Sequence, residues 1–425
     1  MGLLLLVLVI LILAGAPIAY ALGLSAMTYF VVADPALLQA LPQRLFAGLN
    51  SYALLALPLF ILMGLVMNAA QITGRLLEFA ALFVGRLQGG LALVNVAASM
   101  LFGGISGSSA SDTASIGSVL IPEMEKRGYP PAFAAGITVA SSTMGMIIPP
   151  SIPMVLYAVV AQESVGRLFL AGAIPGLLIG LLQLGIALAV SRRRDYPREA
   201  VARGWRHVLE ETARSGPVLA MPLVIVGSVV LGVATATESA ALGVVYALVV
   251  GFALTRTMTV GGFRECLRQA VLTSAKIMMI IAFSQVYIWI LALERIPEAI
   301  AASVTGLGLG PLATLLVVEA IVLAAGTIID VSPAILLLTP VFLPALSAAG
   351  VSPIQFGVIL VSGLAVGACT PPVGNCLNVC AAISRLGIGS IFRGATPFLA
   401  ANVAVMLICT FFPQVVLWLP SLLMD

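Results

Sequence analysis

Two short stretches decide the reading of this chain: Gly145-Met146-Ile147-Ile148-Pro149-Pro150-Ser151 and Gly367-Ala368-Cys369-Thr370-Pro371-Pro372-Val373. Each sets a double proline well inside an apolar run long enough to cross a bilayer, 131–161 in one case and 353–384 in the other. Proline has no N–H and clashes with the preceding turn, so a helix must open at such a pair. An opening in mid-membrane frees carbonyl oxygens that a hard cation such as sodium can use. It also creates a helix N-terminus whose positive dipole end suits an anion. Moving outward, the punctuation of the two regions coincides without a gap at an offset of 222 residues, the distance from Gly145 to Gly367. Gly104 falls on Gly326, Pro122 on Pro344, Gly128 on Gly350 and Pro131 on Pro353, in the same register as both proline pairs. The chain carries an internal duplication.

Composition sets the environment. Of 425 residues, 61% are hydrophobic and 9% charged, with a mean hydropathy of +1.16. Soluble domains carry about 25% charged residues, so this chain cannot cover a water-facing surface and reads as an all-α polytopic membrane protein. Disorder, a secreted disulfide scaffold and nucleic-acid binding are excluded as classes. The one histidine, His207, lies in an Arg-rich loop, and the five cysteines form no CxxC pattern. Zinc and haem chemistry are therefore unsupported, and the thiols read as small buried hydrophobes. No Gly-Lys-Ser/Thr follows the glycines of 103–107, so nucleotide binding is unsupported too. With the lone histidine in a loop, no catalytic set is present and no enzyme is expected.

Full spans are expected near 16–33, 50–70, 131–161, 167–190, 216–234, 238–256, 270–293, 353–384 and 395–418, at about 20 residues per crossing. The run from Gly2 to Leu13 precedes a Gly15-Ala16-Pro17 break and lacks the basic n-region of a signal peptide; it reads as a short first helix. Two further apolar stretches, 91–125 and 309–346, are interrupted at 103–112 and 326–333 by Gly, Ser, Thr and Asp. Lipid cannot satisfy bare backbone, so such breaks must be enclosed by protein or line a cavity. The duplication, and the coincidence of the breaks within it, favours two re-entrant hairpins over two extra pairs of spans. With the loop 191–215 cytoplasmic, sixteen Lys and Arg residues lie inside and three (Arg44, Arg167, Arg295) outside, a strong positive-inside bias. The hairpins then enter from opposite sides. The expected fold is an inverted-repeat secondary transporter with helices broken in mid-membrane. Its halves are 1–190 and 216–425, joined by the cytoplasmic linker 191–215. Segments 74–90 and 294–308 read as interfacial helices joining a fixed part to a moving one.

Two polar clusters follow, the first tip with Ile148–Ser151 and the second tip with Cys369–Asn375. Neither has the carboxylate density of a calcium site or the His/Cys set of a zinc site, which leaves sodium as the expected ion. Asp112 and Asp330, at the two tips, are costly and functional by default; Asp112 has the alternative reading of a cap on the following half-helix. Glu238 reads as a helix-start residue. Lys276 reads as snorkelling to the cytoplasmic interface, and Glu319 as facing a cavity or partner.

At these motifs the chain resembles the large membrane subunit of TRAP (tripartite ATP-independent periplasmic) transporters, the DctM-like family, essentially end to end. The most specific residues are Ser106-Gly107-Ser108-Ser109-Ala110-Ser111-Asp112-Thr113-Ala114, Ile148-Pro149-Pro150-Ser151-Ile152-Pro153 and Thr370-Pro371-Pro372-Val373-Gly374-Asn375. Asp330-Val331-Ser332-Pro333 and Thr235-Ala236-Thr237-Glu238 support them; the family more often has Asp-Leu-Thr-Pro and Thr-Pro-Thr-Glu there. The resemblance implies sodium-coupled uptake of an organic acid across a bacterial or archaeal inner membrane. It implies a small membrane subunit and a periplasmic substrate-binding protein as partners, and an elevator motion of the hairpin domain. A stand-alone sodium-coupled organic-anion carrier is the alternative. Family knowledge puts sodium at the tips and breaks. We accordingly expect cation ligands at Ser108, Asp112, Ile148, Pro149, Gly326, Ser332, Gly367, Pro371, Val373 and Gly374. Substrate contacts are expected at Ser106, Ser109, Ser111, Pro150, Ser151, Thr327, Asp330, Thr370 and Asn375.

Overall fold

The structure is a computed structural model that describes residues 2–33, 35–198, 205–296, 299 and 310–424. The chain starts with α1 (Gly2–Leu13), α2 (Ile18–Ala33), α3 (Leu41–Leu49), α4 (Ala56–Ala69) and α5 (Ile72–Val84). A first hairpin follows, α6 (Gly90–Ser106) and α7 (Ser109–Lys126), then two half-helices, α8 (Pro131–Ser142) and α9 (Ile152–Ala161), and the long α10 (Val165–Arg193). The second half holds α11 (Trp205–Val230), α12 (Ala236–Val249) and α13 (Val260–Leu293). Its hairpin is α14 (Pro311–Gly326) and α15 (Val331–Ala348), its half-helices are α16 (Pro353–Gly367) and α17 (Asn375–Ser384), and α18 (Ile388–Phe411) and α19 (Gln414–Met424) close the chain. Among the described residues, seven helices are long and apolar enough to cross a membrane. The duplication is visible in the helix bounds. Residues 109–126 and 331–348 are both hairpin arms, and both first half-helices start on a proline, Pro131 and Pro353. Pro suits that position because its missing N–H would be unpaired there anyway.

The interruptions fall where the glycine and proline chemistry puts them. Gly107, at φ +61°, ends α6 and turns the chain into α7, a conformation that costs a Cβ-bearing residue strain. The break after α8 runs through a short 3₁₀ turn, Thr143–Met146, to Ser151, and the break after α16 runs from Ala368 to Gly374.

Several expectations need correction. The span read at 395–418 is two helices, because Phe412-Pro413 ends α18 and α19 starts afresh at Gln414; proline cannot carry the ladder onward. Helix α11 starts at Trp205, inside the stretch read as the linker 191–215, and runs on as the span expected to start at 216. The span read at 270–293 is the latter part of a 34-residue helix. Helix α3 was not expected. Segment 74–90 overlaps most of α5, which packs between α11 and the hairpin arm α6. The expectation for 294–308 falls mostly on residues outside those described.

Packing divides the molecule. Helix α4 packs on both α12 and α13, and α1 and α2 form a satellite apolar core with the C-terminal turns of α13 around Phe30, Tyr287 and Ile290. Polar side chains tie the hairpin side together. Asn95 donates to Thr138 at 2.7 Å, Ser99 meets Ser141 at 2.8 Å, and Thr113 donates to Ser142 at 2.8 Å, joining both arms of the first hairpin to α8. Asn402 on α18 donates to Thr143 and accepts from Gln183 on α10, both at 2.7 Å. Interhelical hydrogen bonds of this kind hold membrane helices where lipid supplies no hydrophobic drive. The two repeats are also interlocked: α7 packs on α17 and α15 on α9.

Candidate functional site

Each hairpin tip lies against its own broken helix. A Cβ on Gly104 would stand 3.2 Å from the Pro149 carbonyl oxygen, and one on Gly107 would stand 3.1 Å from that of Pro150. Only glycine allows this approach of tip to break. At the second tip the Thr327 carbonyl accepts from the N–H groups of Val373 at 3.1 Å and Gly374 at 3.4 Å. Gly326 rests on Gly367 there, backbone to backbone.

Both tips and both breaks open onto one cavity of about 420 Å³. Its hairpin side is formed by Ser106 to Ser111, Ile152 and Pro153, Asp330 to Pro333, and Asn375 and Cys376. These are the first turns of α7, α9, α15 and α17, so four helix N-termini converge on it. No side chain caps α7 or α17. At about +0.5 charge per N-terminus, these ends turn partial positive charge toward the cavity, offset at α15 by the Asp330 carboxylate that caps it. The opposite wall is Ile61, Gly64 and Leu65 of α4 with Thr273, Lys276, Ile277 and Ile280 of α13.

The two acids are not equivalent. Asp112 is 0% exposed, its Oδ1 accepts from the Ser106 hydroxyl, and its Oδ2 has no partner. The carboxylate does not cap α7, so the capping alternative falls away. It presses instead on Gly145, where any Cβ would collide with Oδ2. A buried carboxylate oxygen without a donor is costly unless a cation completes it. Among the described residues no three His, Cys, Asp or Glu side chains cluster, so a cation here would be held by one carboxylate plus neutral oxygens. Asp330, by contrast, is exposed at the cavity mouth and caps α15, its Oδ1 accepting from Val331 N at 2.9 Å. Its duplicate is Ser108, and the duplicate of Asp112 is Ala334, so the second tip has no buried acid.

Of the expected site residues, Ser106, Ser108, Ser109, Ser111, Asp330, Ser332 and Asn375 line the main cavity. Gly326, Thr327, Val373 and Gly374 line an adjoining hollow that shares Asp330 and Asn375. Others have their groups already engaged. Ser151 is 1% exposed, donates to the Met146 carbonyl and caps α9 at Met154 N, so it is a structural cap. Thr370 donates back to Val366 O at 2.8 Å. The Ser109 hydroxyl sits between Ser142 Oγ at 3.0 Å and Cys376 Sγ at 2.9 Å, bridging the two repeats. Pro149, Pro150 and Gly367 are buried, and Ile148 and Pro371 half-buried, at the breaks; none of these five lines either hollow. Lys276 is exposed and lines the cavity wall. Gly145 was overlooked as a site residue, although its place in the duplication marked it. Glu319 is buried and accepts from Thr410 on α18, away from the cavity. Glu238 forms a capping box with Thr235 at the start of α12, as expected.

Asn375 opens α17 and reaches Asp330 at 3.5 Å. Asn375→Ala is expected to weaken binding of an anion in this cavity about tenfold, the loss of a charge-assisted contact; an unchanged affinity in a binding titration removes Asn375 from the contacts.

Residues 5–415 match the family described as the tripartite ATP-independent periplasmic transporter, DctM component. The chain belongs to that family. It is 38% identical over 401 residues to the C4-dicarboxylate TRAP transporter large permease protein DctM of Pseudomonas aeruginosa, covering 94% of this chain and 93% of that one. It is 36% identical over 414 residues to the sialic acid TRAP transporter large permease protein SiaM of Vibrio cholerae, covering 97% and 96%. Its fold is similar to the YdaH transporter of Alcanivorax borkumensis, described as having an unusual topology. The TM-score is 0.65, with 16% identity and 90% of each chain covered. The expected fold class, an inverted-repeat membrane transporter with two hairpins and two broken helices, stands. The protein is a multi-pass membrane transporter of the TRAP large permease family.

Proposed function

We propose that this chain is the translocating subunit of a sodium-coupled TRAP importer that carries an organic acid across a bacterial inner membrane. One observation carries the reading: four helix N-termini and two hydroxyl-rich tips converge on a single cavity, with the unpartnered Oδ2 of Asp112 just behind the first tip. The N-termini suit the anion, and the hydroxyls of Ser108, Ser111 and Ser332 suit its oxygens; that of Ser106 is committed to Asp112. Sodium at Asp112 would neutralise the buried carboxylate and draw the first tip onto its break. Ion binding would thereby organise the substrate surface, which is the differential interaction coupling requires. The cavity has hairpin elements on one wall and the α4 and α13 scaffold on the other. That division supports an elevator motion in which tips, breaks and cargo move together past the scaffold. The relatives named for TRAP systems support a small membrane subunit and a periplasmic binding protein as partners. The positive-inside bias supports a cytoplasmic Arg-rich 191–215 region.

The test is reconstitution of the chain with its small subunit in proteoliposomes, crossing an inward sodium gradient with presence or absence of the binding protein. Uptake of labelled acid that needs both is expected. Equal uptake on potassium or proton gradients removes the sodium reading. Uptake indifferent to the binding protein makes the chain a stand-alone carrier.

A further inference from the structure

The scaffold wall of the cavity carries a charge that the hairpin side does not account for. Helix α13 turns Thr273, Lys276, Ile277 and Ile280 onto the cavity, an i, i+3, i+4, i+7 stripe that is one face of a helix. Among the described residues, Lys276 is the one cation on the cavity lining, and Asp330, on the opposite wall, is the one anion. Lys276 stands eight residues past Arg268, about 12 Å along the helix axis, and shares its face with Thr273 one turn earlier. It is exposed and, among the described residues, has neither an ion pair nor a hydrogen bond. Asp330 is engaged with the α15 N-terminus and Asn375 instead. A lysine on a membrane helix is costly and marks a site by default, and this one faces the cavity into which four helix N-termini point.

We infer that Lys276 is a specificity-determining residue, whose ammonium pairs with an anionic group of the bound acid from the scaffold wall. This rests on the organic-acid reading above. The helix N-termini contribute partial charges spread over the hairpin wall, whereas Lys276 contributes a full, mobile charge from the side that does not carry the tips. Because it belongs to the scaffold, its pairing holds only while the cavity faces α13. The contact therefore strengthens binding in the conformation seen here and is absent once the hairpins have moved away.

The test is thermal-shift titration of the purified full chain, at fixed sodium, with succinate, L-malate, isethionate, N-acetylneuraminate and gluconate. At least one acid is expected to raise the melting temperature of the wild type. For that acid, Lys276→Met raises the half-saturating concentration 10- to 100-fold without lowering the ligand-free melting temperature, whereas Lys276→Arg stays within about fivefold. Lys276→Cys behaves as the Met variant until treated with 2-aminoethyl methanethiosulfonate, which restores a cation and the affinity; methyl methanethiosulfonate does not. The five native cysteines are buried, and the treated wild type is the control. An unchanged half-saturation in Lys276→Met overturns this inference and leaves the transport reading standing. A wild type that responds to none of the acids removes the organic-acid reading, and the role of Lys276 with it.

Discussion

Asp112→Asn should abolish sodium-driven uptake, at least 100-fold, while leaving a folded protein whose melting temperature no longer responds to sodium. The side chain is fully buried, one oxygen is held by Ser106, and the other has no donor. Asparagine keeps the shape and the acceptor for Ser106 but removes the charge. Without sodium, the wild type must hold an uncompensated carboxylate away from water, a cost of several kcal/mol. Asp112→Asn should therefore melt at the same or a higher temperature than the wild type in sodium-free buffer. Sodium should stabilise only the wild type, by about 2.7 kcal/mol at one hundred times its Kd. Gly145→Ala approaches the same site from the other side, since its methyl would occupy the space against Oδ2; it should also lose the sodium response, with Asp112 still present. A sodium titration identical in the wild type and Asp112→Asn would remove this residue as a ligand.

The largest stability effect is expected where α8 and α18 meet. A Cβ on Gly394 would collide with the Ala132 carbonyl oxygen, and one on Gly136 would collide with the backbone of Gly394 and Ala395. Overpacking in a core costs about 1–3 kcal/mol when side chains can yield; here the obstacle is backbone on both sides. Gly394→Val should therefore give little folded protein, and Gly394→Ala a lowered melting temperature. Gly389 lies on the same helix with nothing within 4 Å of its would-be Cβ. Gly389→Ala should be neutral or stabilising, by up to about 1 kcal/mol of helix propensity. If the two alanine variants melt alike, the close α8–α18 approach is not what holds this interface.

Much of the candidate site was legible because its signals are local in the chain. The Ser-rich tip 106–112 and the proline pairs announce exposed backbone in an apolar setting, and the cavity is lined by tip residues and by the residues that follow the breaks. Ser151 and Thr370 misled for a reason equally local. A hydroxyl next to a break is also well placed to bond a carbonyl of the turn beside it, and both do. The place of Lys276 on the cavity was not legible, because a lone lysine in an apolar run gives no sign of which helix face it occupies. The span at 395–418 was drawn too long because hydropathy stays high across Phe412-Pro413, while the backbone ends α18 there.

Sequence alone determined the membrane class, most of the spans, the breaks within them, the two tips and the duplication that relates them. All of these follow from apolar run length and from the backbone rules of proline and glycine, which act within one or two turns. The tertiary structure decided which groups are already engaged and which remain free. Ser109 meets Cys376 across 267 residues and Asn402 meets Thr143 across 259, and α7 packs on the half-helix of the other repeat. It also left Asp112 one free oxygen and set Lys276 facing the tips. Hydrogen bonds and cavity walls are formed between segments far apart in the chain, so their partners are settled only when the helices pack.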